Sequence, residues 1–178
     1  MEKEAGMAIL KIVILSDPIL RVKCTPVAHI DKKMIKIAQD MVETMYAAPG
    51  VGLAANQVGL NFQLAVIDAT RDPEKYGKNP IILFNPKILE SSGKKINDEG
   101  CLSIPGLFEE VTRAAKVKAT YTDENGKEQT VETDGLLAQA LQHEIDHLNG
   151  KLYIDHLSSI KRNLIKKKFK KHHSHEAE

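Results

Sequence analysis

Cysteine is scarce in this chain, which holds two cysteines among 178 residues, and tryptophan is absent. Two cysteines cannot build the disulfide framework of a small secreted domain, and they fit a reducing cytoplasm better. No apolar run approaches the roughly 18 residues that a membrane-spanning helix needs, so we expect no membrane partner. Residues 1–6 contain two glutamates, which argues against an Arg-rich transit peptide, and we expect no secretory leader. These features predict a cytoplasmic protein.

A charge excess of either sign is also missing. The chain has 25 basic and 24 acidic residues, which gives a formal net charge of +1. This balance excludes the strong overall field that draws nucleic acid to a basic protein, and we expect no DNA partner. Any contact with RNA or the ribosome would have to be local.

Length and composition predict a single domain. With 178 residues, of which 42% are hydrophobic, the chain can bury one good core. We expect this domain to occupy residues 1–178, with residues 1–6 as a mobile extension and residues 172–178 as a polar tail. No internal repeat is apparent.

The expected order of elements favours an α+β fold over a regular alternation of strands and helices. A helix is predicted around residues 31–47, and strands near 62–69, 81–89, 110–122 and 128–132. Residues 123–126 read Asp-Glu-Asn-Gly, a strong hairpin signal. We expect antiparallel or mixed sheets packed around a central helix that contains residues 143–147, followed by a C-terminal helix.

The central helix carries the most informative string, His-Glu-Ile-Asp-His at residues 143–147. On a helix, this HExxH pattern places two imidazoles on one face with a carboxylate beside them, which is the geometry of a hydrolytic metal site. Thr133 or Asp134 can cap the start of the helix, and Gly150 can end it in a left-handed turn.

Two stripes of residues indicate that this helix is largely buried. One stripe is apolar and consists of Leu137, Leu141, Ile145 and Leu148. The other combines apolar residues with the two histidines and consists of Leu136, Ala140, His143 and His147. Buried imidazoles need partners. Two at this spacing beside Glu144 are more often metal ligands than core histidines that hydrogen-bond elsewhere.

A catalytic metal of this kind usually has three protein ligands and one open position. The longer pattern HExxHxxGxxH ends here at Tyr153, a poor zinc ligand, and the only acid between His147 and the polar terminus is Asp155. Cys101 is the best remaining donor, because a thiolate binds borderline metals strongly. The alternative is that Cys101 is a small buried hydrophobic residue, the usual fate of a free cysteine.

A third segment, at residues 49–57, combines glycines and small residues with a terminal amide and reads Pro-Gly-Val-Gly-Leu-Ala-Ala-Asn-Gln. The side chain of Gln57 could donate a hydrogen bond to a developing oxyanion. A glycine-rich turn that enters a strand explains the segment equally well. It is not a phosphate-binding loop, because the Lys-Ser/Thr ending is absent.

Three segments together resemble the signature motifs of the peptide deformylases. They are Gly-Val-Gly-Leu-Ala-Ala-Asn-Gln at 50–57, Glu-Gly-Cys-Leu-Ser at 99–103 and Gln-His-Glu-Ile-Asp-His at 142–147, and their order and spacing match as well. The likeness covers residues 8–168. It implies a hydrolase that removes the formyl group from the N-terminal formyl-methionine of nascent chains.

The resemblance also implies a role for each motif residue. Cys101, His143 and His147 would bind one divalent metal, and Glu144 would act as general base and acid. The Gln57 side chain and the Leu102 backbone N–H would contact the oxyanion. The implied substrate-binding residues are Gly50, Val51, Gly52, Leu136 and Ala140.

The implied metal is Fe(II) in the cell, whereas purified protein could carry zinc, nickel or cobalt on the same ligands. Sulfur ligation suits both zinc and ferrous iron, and iron beside an exposed thiolate should be sensitive to oxidation. The sequence alone leaves the native metal open.

Some positions depart from the family pattern or have no assigned role. Some members carry an arginine seven residues after the cysteine ligand, where this chain has Phe108. Gln139 stands where some relatives have an aliphatic residue on the wall of the methionine pocket, which leaves the polarity of that pocket open. Arg113 is nearby and has no assigned role.

The C-terminal segment at residues 161–171 holds seven basic residues and no acid. A solvated helix face is the simpler interpretation, and a contact with ribosomal RNA is the alternative.

Two other functions also compete with a deformylase: a metalloprotease that cuts internal bonds, and a non-catalytic ribosome-binding module that keeps a structural metal. The missing third histidine and downstream glutamate disfavour the first. The presence of only three credible ligands disfavours the second.

Overall fold

A computed structural model describes residue 6 and residues 8–174. The mobile extension expected at residues 1–6 therefore lies, apart from Gly6, outside the described residues. Residues 175–178 of the expected polar tail lie outside them too.

The described residues form three α-helices and seven strands. The helices are α1 (Lys32–Ala47), α2 (Gly135–Leu148) and α3 (Ser159–His173). The strands are β1 (Gly52–Ala54), β2 (Leu64–Ile67), β3 (Ile81–Ser92), β4 (Lys95–Cys101), β5 (Ile104–Arg113), β6 (Lys116–Thr122) and β7 (Glu128–Asp134). Short 3-10 turns lie at Pro18–Arg21, Ala55–Val58 and Tyr153–His156.

The strands form a five-stranded sheet, in the order β1-β2-β3-β6-β7, and a separate two-stranded sheet of β4 and β5. Every pairing between these strands is antiparallel. The predicted α+β class is confirmed, and so is the hairpin at residues 123–126, which joins β6 to β7. Both β1 and β4 have one edge that pairs with no other named strand.

The strand prediction differs from the structure in two places. Residues 110–122 do not belong to one sheet, because β5 ends at Arg113 and pairs with β4, whereas β6 begins at Lys116 and joins the larger sheet. Strand β4 was not predicted at all. Its sequence, Lys-Ile-Asn-Asp-Glu-Gly-Cys, lacks the apolar alternation that identifies a half-buried strand.

Helix α1 leads into the glycine-rich segment at residues 49–57. Its start is capped by Asp31, whose carboxylate accepts a hydrogen bond from the Met34 N–H at 2.8 Å. The apolar residues that follow at helical spacing pack on β1 and β2. They are Met34, Ala38, Met41, Val42 and Met45.

Helix α2 lies on the five-stranded sheet, and none of its fourteen residues is exposed. Leu141 packs in a cluster with residues of β2, β3 and β6, and Leu148 packs against Cys24. Asp134 occupies the cap position without a side-chain hydrogen bond. Gly150 follows the helix with φ of +73°, and a Cβ there would lie 2.5 Å from the Arg21 carbonyl oxygen, so only glycine fits.

Helix α3 begins after Ser158, whose hydroxyl accepts a hydrogen bond from the Lys161 N–H. Ile165 and Phe169 anchor it in a cluster formed largely by residues 152–157 and β5. The helix continues to His173, so the first residues of the expected polar tail are helical. No helix among the described residues is long and apolar enough to span a membrane.

Candidate metal site

Three predicted ligands meet at one point between α2 and the end of β4. The Nε2 atoms of His143 and His147 are 3.1 Å apart, and the Cys101 sulfur lies 3.3 Å from the His147 Nε2. Within the described residues this is the one group of three or more His, Cys, Asp or Glu side chains whose donor atoms all lie within 4.8 Å of one another. The structure therefore brings together the three residues that sequence reasoning selected from distant segments.

Local structure explains this convergence. The two histidines are four positions apart on α2, which stacks their side chains on one face. Cys101 is the last residue of β4, where a tight turn pairs it with Ile104 and directs the strand back. The two other residues that the sequence offered as a third metal ligand make different contacts. The Tyr153 hydroxyl donates a hydrogen bond to the Leu107 carbonyl, and the Asp155 carboxylate accepts one from Arg21.

The donor set fits a tetrahedral ion. Metal–nitrogen bonds of about 2.1 Å and metal–sulfur bonds of about 2.3 Å would place the ligand atoms about 3.4–3.6 Å apart. The observed separations of 3.1 and 3.3 Å are only slightly shorter. A three-ligand set leaves a fourth position open, which is typical of catalytic rather than structural sites.

A buried ion pair orients one of the ligands. Glu99 lies 2.9 Å from the Nδ1 of His143, and Arg113 binds both carboxylate oxygens of Glu99 at 2.6 and 2.9 Å. Arg113 also donates to Asp146 at 2.6 Å. A proton on Nδ1 that is donated to Glu99 leaves Nε2 free to bind metal. Sequence reasoning gave Glu99 and Arg113 no such role.

The charges of these groups follow from the same contacts. Burial opposes ionisation of Glu99, but Arg113 and His143 outweigh it and lower the pKa of Glu99 to about 2. Burial and the neighbouring His143 lower the pKa of His147 well below its usual value. His147 is therefore neutral, the form in which an imidazole binds a metal.

The carboxylate of Glu144 lies beside the ligands and is buried. A Cβ at Gly52 would come within 2.8 Å of the Glu144 Cδ, so a glycine is needed at this position of β1. The Oε2 atom of Glu144 has no hydrogen-bond partner among the described residues. Burial is the main cause that raises the pKa of Glu144 to about 7, where a carboxylate can take up and release a proton near neutral pH.

The Gln57 side chain is fixed at both ends of its amide. Its Oε1 accepts a hydrogen bond from the Ala54 N–H at 2.9 Å, so its Nε2 faces the site. That Nε2 lies 3.2 Å from the Ser103 hydroxyl and 3.4 Å from the Cys101 sulfur. The neighbouring Asn56 donates to the His147 carbonyl at 2.5 Å and ties this segment to α2. Ser103 and Asn56 lie inside the motifs, but their contacts were not foreseen.

A cavity of about 480 Å³ opens from this point to the surface. Every predicted site residue lines it except His147, which lies behind His143 and is buried. The lining residues that sequence reasoning selected are Gly50, Val51, Gly52, Gln57, Cys101, Leu102, Leu136, Ala140, His143 and Glu144. Phe108 and Gln139 also line the cavity, whereas Arg113 lies in the interior and does not.

Comparison with known proteins agrees with this arrangement. The family model described as polypeptide deformylase matches residues 9–163. The peptide deformylase of Rhizobium meliloti (strain 1021) is 49% identical over 166 residues, which cover 93% of this chain and 94% of the relative. That of Brucella suis biovar 1 (strain 1330) is 51% identical over 166 residues, with the same coverage of both chains.

Solved structures show the same fold. The crystal structure of a peptide deformylase from Legionella pneumophila superposes with a TM-score of 0.88 at 44% identity, covering 96% of this chain and 98% of that chain. The Ehrlichia chaffeensis peptide deformylase, solved in complex with actinonin, gives a TM-score of 0.87 at 40% identity and covers 93% and 98%. On the family match, these identities and the shared fold, the chain belongs to the polypeptide deformylase family.

Proposed function

We propose that this chain is a metal-dependent hydrolase that removes the N-formyl group from the formyl-methionine of nascent polypeptides. One observation carries the proposal. The three metal donors, the Glu144 carboxylate and the Gln57 amide converge at the inner end of one cavity in a member of the deformylase family. These are the groups that hydrolysis of a resonance-stabilised formamide requires.

The three donors Cys101, His143 and His147 would hold one divalent ion. When bound there, such an ion supplies Lewis-acid chemistry that lowers the pKa of water from about 16 toward about 7. Sulfur and imidazole ligation suits both ferrous iron and zinc, and we propose Fe(II) in the cell.

Glu144 moves the protons of the reaction. It takes a proton from the attacking water, whose oxygen bonds to the formyl carbon, and gives that proton to the nitrogen as the C–N bond breaks. The products are formate and a free α-amine. The raised pKa and the unpartnered Oε2 of Glu144 support both transfers.

Gln57 and Leu102 stabilise the charge that develops on the formyl oxygen. The anchored amide of Gln57 presents Nε2 beside Cys101, and Leu102 follows Cys101 directly, so its backbone N–H comes from the same turn. Donors that are already oriented need no rearrangement as the carbonyl becomes tetrahedral.

The peptide would lie between the unpaired edges of β1 and β4. Extended chains bind such edges through backbone hydrogen bonds, and Gly50, Val51 and Gly52 leave space for a close approach. Leu136 and Ala140 supply an apolar wall for the methionine side chain. The cavity volume of about 480 Å³ can hold a methionine side chain and a short stretch of backbone.

Release of formate from formyl-Met-Ala-Ser by anaerobically purified protein tests the proposal. We expect turnover after Fe(II) is added and none with the acetylated peptide, because a formyl-sized site rejects the extra methyl group. Cleavage of casein or of the acetylated peptide would instead indicate a metalloprotease. Metal binding without formate release under any metal would indicate a non-catalytic module.

Helix α3 supports a second, local proposal, a contact with ribosomal RNA in the cytoplasm. Ile165 and Phe169 face the core, so the lysines of α3 lie on its outer side. Lys161 pairs with Glu109, and Arg162 donates to backbone carbonyls, whereas the remaining five lysines form no ion pair among the described residues. Ribosome co-sedimentation should weaken with salt and after deletion of residues 161–178. Unchanged co-sedimentation would exclude the contact.

A further inference from the structure

The loop between β2 and β3, at residues 68–80, carries a single aromatic residue, Tyr76. Its neighbours at residues 71–79 are polar or charged apart from Pro73 and Gly77, and most of them are exposed, whereas Tyr76 is half-buried. A tyrosine that is withdrawn from solvent usually places its hydroxyl on a hydrogen-bond partner. The loop is therefore expected to be fastened to the rest of the protein at this residue.

Tyr76 reaches one side of the cavity through its hydroxyl, which donates a hydrogen bond to the Gly50 carbonyl at 2.8 Å. Gly50 lines the cavity and Tyr76 does not, so the tyrosine acts from outside it. The Gly50 N–H donates to the Met45 carbonyl at 2.9 Å, and an added Cβ on Gly50 would lie 2.8 Å from the Leu102 Cδ1. Gly50 therefore lies between the end of α1 and the Leu102 side chain, and Tyr76 fixes its carbonyl.

Asp68 fixes the loop that carries Tyr76. The buried Asp68 carboxylate accepts hydrogen bonds from the Thr70 N–H at 3.0 Å, the Gly77 N–H at 2.9 Å and the Tyr46 hydroxyl at 2.8 Å. The Tyr46 ring, on α1, also packs edge-on against the Tyr76 ring, with the ring centroids 5.2 Å apart. The Tyr76 hydroxyl is therefore presented by a fixed support rather than by a free loop.

The segment that this loop holds is flexible by composition. Residues 50–52 read Gly-Val-Gly, and glycine loses more conformational freedom on ordering than any other residue. Two consecutive carbonyls of the segment are bound by the loop, that of Gly50 by the Tyr76 hydroxyl and that of Val51 by the Asp68 N–H at 2.8 Å. A segment that is ordered in advance binds a peptide more tightly, because less conformational entropy is lost when the peptide binds.

We infer that Tyr76 is a positioning residue, which holds residues 50–52 in the conformation that binds the peptide and does not contact the peptide itself. The inference rests on the proposed deformylase function, in which these residues form one side of the substrate path. It assigns a role to the loop at residues 68–80, which lies outside the three motifs.

The test compares KM and kcat of the native enzyme and Tyr76→Phe, both loaded with metal, on formyl-Met-Ala-Ser. Phenylalanine keeps the ring but removes the hydroxyl. KM should rise about three- to tenfold, the usual worth of one hydrogen bond, while kcat changes less than about twofold. Tyr121→Phe is the matched control and should leave both constants unchanged, because Tyr121 is also half-buried but lies on β6 and does not line the cavity.

Amide hydrogen exchange gives a second readout that does not depend on activity. The Gly50 and Asp68 N–H groups should exchange about three- to tenfold faster in Tyr76→Phe than in the native enzyme, because residues 50–52 open more often without the tyrosine hydroxyl. Both exchange rates should stay the same in Tyr121→Phe.

The outcomes separate the two proposals. An active Tyr76→Phe enzyme with unchanged KM, or with a fall in kcat alone, would overturn the inference and leave the deformylase function intact. Unchanged exchange at Gly50 would also overturn the inference, whatever the activity. Failure of the native enzyme to release formate would overturn the deformylase function and, with it, the role of Tyr76 in peptide binding.

Discussion

The two ends of the cavity are built on different principles. At the inner end, Gln57, Glu144 and His147 are almost completely buried, and the Gln57 amide is held at both its oxygen and its nitrogen by named partners. At the mouth, Val51 and Phe108 are exposed and make few directional contacts. Chemistry requires fixed donors in a water-poor site, whereas peptide binding at the mouth tolerates different side chains.

The departures from the family pattern follow the same division. Phe108 and Gln139 both line the cavity, and among the described residues neither forms a side-chain hydrogen bond with Cys101, His143 or His147. The inner end keeps every motif residue. This contrast implies that substitutions at the inner end change the rate of the chemical step, whereas those at the mouth change substrate preference.

The largest effect is expected for Glu144→Ala. Loss of a positioned acid and base should lower kcat by about 10²–10⁴-fold, while the three ligands still bind metal. Formate release and elemental analysis together measure both properties. The matched variant Glu132→Ala removes an exposed glutamate of β7 and should leave both unchanged. Loss of metal from Glu144→Ala would contradict a role limited to proton transfer.

A smaller loss is expected for Gln57→Leu, which keeps the side-chain size but removes the amide donor. One oxyanion donor is typically worth about 10²-fold in kcat, and KM should change little because the donor acts mainly in the transition state. Gln63→Leu is the control, since Gln63 donates to the Cys24 carbonyl at 3.3 Å outside the cavity. A rise in KM with unchanged kcat would assign Gln57 to substrate binding.

The sequence was sufficient to predict which three side chains meet at the inner end, because histidine and cysteine carry chemistry that few other residues supply. Two histidines at helical spacing indicate a metal site without knowledge of the fold, and Cys101 was the best remaining third donor. Helix α2 was predicted correctly for a related reason, since its apolar periodicity and Gly150 both agree with the structure. The predicted cap is only partly confirmed, because Asp134 occupies the cap position without a side-chain hydrogen bond.

The support of the site could not be predicted in the same way. Arg113 reaches Glu99 only because β4 and β5 pair, and β4 has no apolar alternation to reveal that pairing. Asn56 holds α2 through the backbone carbonyl of His147, a contact between residues 91 positions apart that depends on tertiary structure alone. The types of the side chains are enough to identify Cys101, His143 and His147 as candidate ligands. The groups that orient them, such as Glu99 and Arg113, are brought together by the pairing of β4 with β5.

Arg113→Met tests this support and should have an intermediate effect. Removal of the guanidinium takes the shared cation from Glu99 and Asp146, which then keep only His143 and His156 as partners. Loss of the buried pair should cost about 3–5 kcal/mol in the free energy of unfolding. Metal affinity should fall about 10–100-fold, because His143 loses the oriented carboxylate behind it. Urea denaturation and metal titration measure the two effects.

The control for Arg113→Met is Lys118→Met, which breaks a surface pair with Glu90 at 3.6 Å. An exposed pair of this kind is worth at most about 1 kcal/mol, and metal affinity should stay the same. If both variants unfolded at the same urea concentration as the native protein, the buried ion pair would not be what stabilises the inner end.

The smallest effect is expected at the mouth, for Val51→Ser. Val51 is 37% exposed and lines the cavity through its side chain, while its backbone carbonyl accepts from the Asp68 N–H and keeps the segment in place. Loss of part of this apolar surface should raise KM less than about threefold and leave kcat unchanged. Steady-state kinetics on formyl-Met-Ala-Ser measure both constants, with Leu89→Ser on β3 as an exposed control outside the cavity. A tenfold fall in kcat would mean that the mouth takes part in the chemical step, and the division between the two ends of the cavity would then be wrong.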